Sequence, residues 1–144
     1  MKPRRVLPRV WPIAAAVVTT VLVAAPAASA DFEFFKSPSG NIYCVISGLQ
    51  ARCDIKQREW EVPEPPSACD FDYGPGVSVG RSGKAGFVCA SDSVFSADAA
   101  ALPYGESISK GRFRCVSKQT KMKCVNERND RGFKLSKQSY KFLN

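Results

Sequence analysis

The chain contains no histidine at all. That removes the commonest general base and the commonest metal ligand, and with them most routes to hydrolytic or metal-assisted chemistry. Helical periodicity is also missing from residues 31–144, apart from one short C-terminal stretch. A helical bundle is therefore excluded. No EF-hand spacing occurs. No cysteine directly follows the N-terminal apolar run, which argues against a lipid-anchored lipoprotein.

What the chain does have is six cysteines, all downstream of a segment built like an export signal. Lys2, Arg4, Arg5 and Arg9 precede an apolar run from Trp11 to Ala25, then Pro26 and the triplet Ala28-Ser29-Ala30. Positive region, short hydrophobic region and A-x-A site in that order predict a secretory signal over residues 1–30, cleaved before Asp31. The rival reading is an uncleaved anchor, since residues 12–30 are only just long enough to span a bilayer. Arg4-Arg5 is read as part of an ordinary positive region. An even cysteine count in an exported chain permits full disulfide pairing.

Cleavage would leave 114 residues, enough for one domain over residues 31–144 and not two. Seventeen basic residues there stand against thirteen acidic ones, but the charge is unevenly spread. Residues 31–107 hold six basic and eleven acidic residues, whereas residues 108–144 hold eleven basic and two acidic. Such separation along a folded chain predicts one electropositive face.

Strand signals dominate at residues 41–47, 50–55, 85–90, 112–117, 121–126 and 132–135, each rich in β-branched or aromatic residues and bounded by turn formers. Residues 60–66 hold three prolines and read as an extended connection or an edge. Residues 98–102 read as an alanine-rich bend, and residues 136–143 as a short helix with Ser136 as N-cap. A weak repeat runs from glycine through an aromatic residue to Cys44, Cys89 and Cys115. Two of these reach a second cysteine nine positions on, Cys53 and Cys124.

That spacing sets a register. If Cys44 opposes Cys53, Gly48-Leu49 is a two-residue turn suited to type II′ geometry. Ile42, Cys44, Ile46, Ala51, Cys53 and Ile55 then share one apolar face. The other face is mostly polar, and a one-residue slip would scramble the sorting. Opposing Cys115 and Cys124 likewise gathers Phe113, Cys115, Met122 and Cys124 on one side and Arg112, Arg114, Lys118, Lys121 and Lys123 on the other. Gln119-Thr120 is a poor two-residue turn, so this loop is expected to open. The predicted disulfides are Cys44–Cys53 and Cys115–Cys124, with Cys69–Cys89 by elimination among fifteen connectivities. The fold expected is a small, mainly antiparallel, disulfide-stapled β domain built from hairpins.

The runs FFKSPSGNIYCVI, ARCDI, ACDFDYGPG, FVCASDSV, YGESISKGRFRC, KCVN and GFKLSKQSY resemble a domain of unknown function found in small secreted proteins of mycobacteria and other actinobacteria. SPSGN before a cysteine and GF-x-LS-x-x-x-Y are the most specific parts of the resemblance. It implies an exported, cysteine-bearing β domain and brings no activity with it. Asn129-Asp130-Arg131 departs from the glycine-histidine expected before Gly132.

Other patterns carry less. Asp70, Asp72 and Asp92 could offer carboxylates to calcium, but alternating acids usually face water. Ser107-Ile-Ser-Lys110 matches S-x-x-K and Ser91-Asp92-Ser93 is close to S-D-N, yet no K-T-G exists and the chain is too short for those serine enzymes. Glu59, Glu61 and Glu64 surround Trp60 as a glycosidase pair might, although Trp60 at the head of a proline-rich stretch better suits a lid on a small core. The expectation is a non-catalytic, cofactor-free binding or structural module, secreted or associated with the cell envelope. Its anion-binding candidates are Arg112, Arg114, Lys118, Lys121, Lys123, Arg128, Arg131, Lys134 and Lys137, facing an anionic envelope polymer or lipid rather than nucleic acid. The alternatives are a protein–protein module using aromatics around Tyr43, Trp60 or Tyr73, and a carboxylate-based hydrolase.

Overall fold

In the computed structural model, which describes residues 31–144 and before them Pro3 alone, the alternation around the cysteines becomes two facing β-sheets. The expected signal and its cleavage site lie outside the described residues. The first sheet contains β1 (Glu33–Lys36), β2 (Ile42–Ile46), β3 (Gln50–Ile55), β4 (Tyr73–Gly80), β5 (Gly86–Cys89) and β6 (Ala100–Ala101). Their spatial order is β5-β4-β3-β2-β1-β6. The second contains β7 (Ser107–Lys110), β8 (Phe113–Lys118), β9 (Lys121–Asn126), β10 (Arg131–Leu135) and β11 (Tyr140–Leu143), in the order β11-β10-β9-β8-β7. Every pairing is antiparallel except the short β1–β6 contact.

The cysteine registers form as expected, with Cys44 opposite Cys53 and Cys115 opposite Cys124. All three disulfides, Cys44–Cys53, Cys69–Cys89 and Cys115–Cys124, are present. The two cysteine faces meet in the core. Ile42, Ile46, Ala51, Ile55, Val77 and Val79 from the first sheet pack with Phe113, Met122, Phe133 and Leu135 from the second. Trp60 closes one side of this core, its indole Nε1 donating to the Ser136 carbonyl at 2.9 Å.

Several expectations need correction. Residues 136–143 form no helix. Ser136 instead caps a tight reversal, its Oγ accepting from the Ser139 N–H at 3.0 Å, and the chain returns as β11. The reason is periodicity: Tyr140 and Phe142 alternate onto the core side, and β10 offers an open edge for pairing. Gly48-Leu49 is the turn between β2 and β3, but Gly48 is not among the glycines with positive φ, so type II′ geometry is not adopted. The Ser47 hydroxyl holds that turn by accepting from the N–H groups of Leu49 and Gln50. The Gln119-Thr120 loop does not open, since Lys118 still faces Lys121.

The largest correction concerns the outer face of β2 and β3. Tyr43 and Val45 are buried there beneath Val94 and Ala99. Arg52 and Asp54, two residues apart on that face, are buried with them. Arg52 forks onto both Asp54 carboxylate oxygens at 2.9 Å and reaches the Asp92 carboxylate at 2.8 Å. The Val94 N–H donates to Asp54 at 3.1 Å. A buried ion pair is tolerated when its geometry is good and its hydrogen bonds are satisfied. This one ties the connection after β5 across the sheet.

Candidate functional site

The candidate site is the outer face of the second sheet, and strand register builds it. Along β8 and β9 the cysteine-side residues are buried, so the alternate residues must face outward. Val116 stands opposite Lys123, Lys123 opposite Lys134, and Lys134 opposite Lys141. Three lysines thus stand side by side on three adjacent strands. Lys118 and Lys121 face each other one step nearer the β8–β9 turn. Directly opposed like charges destabilise a sheet. The Lys134 ammonium accordingly lies below its ordinary value, first through loss of water and then through repulsion from Lys121, Lys123, Lys141 and Lys118. Among the described residues none of these five lysines has an ion-pair partner.

Arginines collect at the opposite end of the same hairpin. Arg112, in the β7–β8 turn, is pressed down by desolvation and by Arg128 and Arg81. Arg131 donates to the Ser82 carbonyl at 2.8 Å, and the Asn126 side chain donates to the Gly80 and Arg81 carbonyls at 3.1 Å. The loop after β4 is thereby drawn to the β9–β10 turn, where Asp130 adopts a left-handed φ of 57°. Arg114 projects between the two groups and donates to Ser107 Oγ at 3.1 Å.

A cleft of about 380 Å³, lined mostly by residues with polar side chains, adjoins the lysine end. Its floor is Ser37 and Ile42, both buried. Around the rim stand Asn41, Gln57, Tyr104, Lys118, Gln119, Thr120, Lys121, Lys137 and Gln138. Asn41 is held in place by a two-way clasp, donating to the Gln57 carbonyl at 2.9 Å and accepting from the Gln57 N–H at 2.8 Å. A second cavity of about 220 Å³, lined by Lys134, Ser136, Ser139, Tyr140 and Lys141, shares Lys121 with the first.

Comparison with known protein families matches residues 16–143 to a family of unknown function (DUF6636). The chain belongs to this family. Comparison with curated proteins found no match, and comparison with solved structures found none. The family match takes in both sheets and all six cysteines. SPSGN contributes Ser37, Ser39 and Asn41 to the larger cleft, while GF-x-LS-x-x-x-Y contributes Lys137 and Gln138 to it and Ser136, Ser139 and Tyr140 to the smaller one.

Of the nine basic residues expected to act together, Lys118, Lys121, Lys123 and Lys134 do converge. Arg112, Arg128 and Arg131 form a separate group, and Lys137 lies at the cleft, 3.3 Å from Glu59. Lys141 and Arg81 were missed. Lys141 was hidden by the helical reading of its segment, although the alternation Tyr140-Lys141-Phe142 carried the signal. Arg81 sits in the acidic half of the chain, and only the tertiary fold brings it near Arg112.

Other chemical candidates are not assembled into sites. Ser107 and Lys110 are three apart on a strand and therefore point to opposite faces. Lys110 pairs with Asp31 and Glu33. Asp92 is engaged by Arg52, and among the described residues no cluster of three metal-ligating groups occurs. Glu59 pairs with Lys137, and Tyr43, expected as an exposed aromatic, is buried.

Proposed function

We propose that this protein is a non-catalytic, exported binding module that attaches to an anionic component of the cell envelope through the outer face of its second sheet. The observation that carries the reading is the row Lys123–Lys134–Lys141, with Lys118 and Lys121 beside it. A folded sheet gains nothing from three opposed ammonium groups without counter-charges, whereas a polyanion lying across them relieves the repulsion. Each lysine near an anionic surface contributes about 1 kcal/mol, so five give about 5 kcal/mol, a Kd of about 0.2 mM. That strength suits retention in a crowded envelope. Three disulfides are consistent with an extracellular setting.

The test is co-sedimentation of the oxidised protein with envelope fractions over a range of salt concentrations. Binding that falls steeply with salt, and is lost in Lys123→Glu/Lys134→Glu, is the expected result. Salt-insensitive binding, or none, overturns the reading and points to a protein partner.

A further inference from the structure

Resting on that reading, we infer that the cleft beside the lysine row is a subsite for a hydroxyl-bearing sugar unit, and that the ligand is an anionic polysaccharide crossing the row into it. Ser37 spends its side chain on the turn into β2, and Asn41 spends its own on the Gln57 backbone across the hairpin. The side chains of Gln57, Lys118, Gln119, Thr120, Lys121 and Gln138 make no hydrogen bond among the described residues, yet three separate chain segments bring all six around one cavity. Amides and hydroxyls at turn tips ordinarily face bulk water. Here they converge on a recess of about 380 Å³ with a buried floor.

The lining decides the ligand class. Small-molecule pockets are predominantly apolar, with a few polar groups to set orientation. This recess is set with more polar groups than that: every residue lining it except Ile42 carries an amide, hydroxyl or ammonium, although apolar atoms still supply the larger share of its surface. Side-chain amides and a threonine hydroxyl both donate and accept, which matches sugar hydroxyls, and the ammonium groups of Lys118 and Lys121, not engaged as Lys137 is by Glu59, match an adjacent carboxylate or phosphate. Lys121 borders both cavities, so the row and the cleft form one continuous surface. A repeating ligand bearing both negative charge and hydroxyls engages all of it.

A lipid surface fits less well. Apart from Tyr104 in the cleft, the large exposed apolar side chains Phe32, Phe34, Leu49, Phe71 and Phe95 belong to the first sheet and its connections. None lies beside the lysines to enter a bilayer.

The test is calorimetric titration of the oxidised protein with an oligogalacturonate, an inorganic polyphosphate of matched charge, a neutral maltooligosaccharide, and phosphatidylglycerol vesicles. Oligogalacturonate is expected to bind more tightly than polyphosphate. The uncharged variant Gln57→Ala/Gln138→Ala is expected to weaken oligogalacturonate by about fivefold or more while leaving polyphosphate unchanged. Equal affinity for the two polyanions, with no effect of that variant, overturns the subsite but leaves the lysine row standing if Lys134→Glu weakens both. Preference for the vesicles overturns the saccharide assignment. Failure to bind any of the three anionic probes overturns subsite and row together.

Discussion

The sulfur of Cys53 lies 3.8 Å from the sulfur of Cys124. With both cysteines already in disulfides, this is a packing contact across the interface between the sheets. All four cysteines of those two bonds are buried completely, whereas Cys89 is exposed and Cys69 only half-buried. Thiol–disulfide exchange needs access to a sulfur. Under mild reductant Cys69–Cys89 is therefore expected to open first, with the inner pair resisting until the domain unfolds. Timed alkylation followed by peptide mass spectrometry checks this order. Simultaneous labelling of all six cysteines in native buffer would show that the inner bonds are not protected. Each disulfide contributes about 3 kcal/mol in the chain-entropy model. Cys44→Ala/Cys53→Ala is expected to cost more than Cys69→Ala/Cys89→Ala, because it also leaves a cavity in the core.

Lys134 stands between Lys123 and Lys141, and replacing it separates stability from binding. Lys134→Glu converts two like-charge neighbours into opposite-charge neighbours. The variant is expected to gain about 0.5–1 kcal/mol in urea unfolding while its affinity for a polyanion drops. A variant that is both weaker in binding and less stable would mean that the lysine supports the sheet rather than a ligand.

Gly76 predicts a severe effect from a single methyl group. A Cβ there would collide with both the Asp54 Oδ1, which Arg52 holds, and the Cys53 carbonyl oxygen of the neighbouring strand. Gly76→Ala must therefore displace β4 from β3 and disturb the Arg52–Asp54 pair. The expected cost is about 3 kcal/mol or more, seen as lost expression or a collapsed urea midpoint. A melting curve close to that of the parent would show that the strands can shift cheaply.

The same glycine explains why β4 was hard to read. Tyr73-Gly-Pro-Gly looks like a turn, yet these residues begin an eight-residue strand with a register shift after Tyr73. The glycines serve close backbone approach, a tertiary requirement that leaves no local periodicity. By contrast, Cys44 and Cys53 were legible because a period of two and a covalent constraint agree on one register. The lysine hairpin was legible on the same grounds. Its extension to Lys141 was not, because the final strand is too short for alternation to outweigh an apparent N-cap at Ser136. The cover over Tyr43 was also invisible. Nothing near residue 92 announces that it will cross the sheet to Arg52.

That crossing supplies a pH dependence whose sign can be worked out. Arg52 holds the Asp92 carboxyl below the ordinary aspartate value of 3.8, first by the side-chain hydrogen bond and then by its charge. Folded Asp92 therefore gives up its proton more readily than unfolded Asp92. The resulting stabilisation is fully present above the unfolded value and disappears as pH falls through the folded one. The comparison that isolates it is the urea midpoint of the parent against Asp92→Asn, measured from neutral pH downward. The parent is expected to be the more stable by a constant margin at neutral pH, a margin that shrinks as the ordinary carboxylate range is passed. A margin unchanged in acid would mean that the Asp92 contact works through shape alone. No margin at any pH would mean instead that the backbone carbonyl of Asp92, which accepts from Arg52 at 2.9 Å and is kept in Asp92→Asn, is enough to hold the cover over Tyr43.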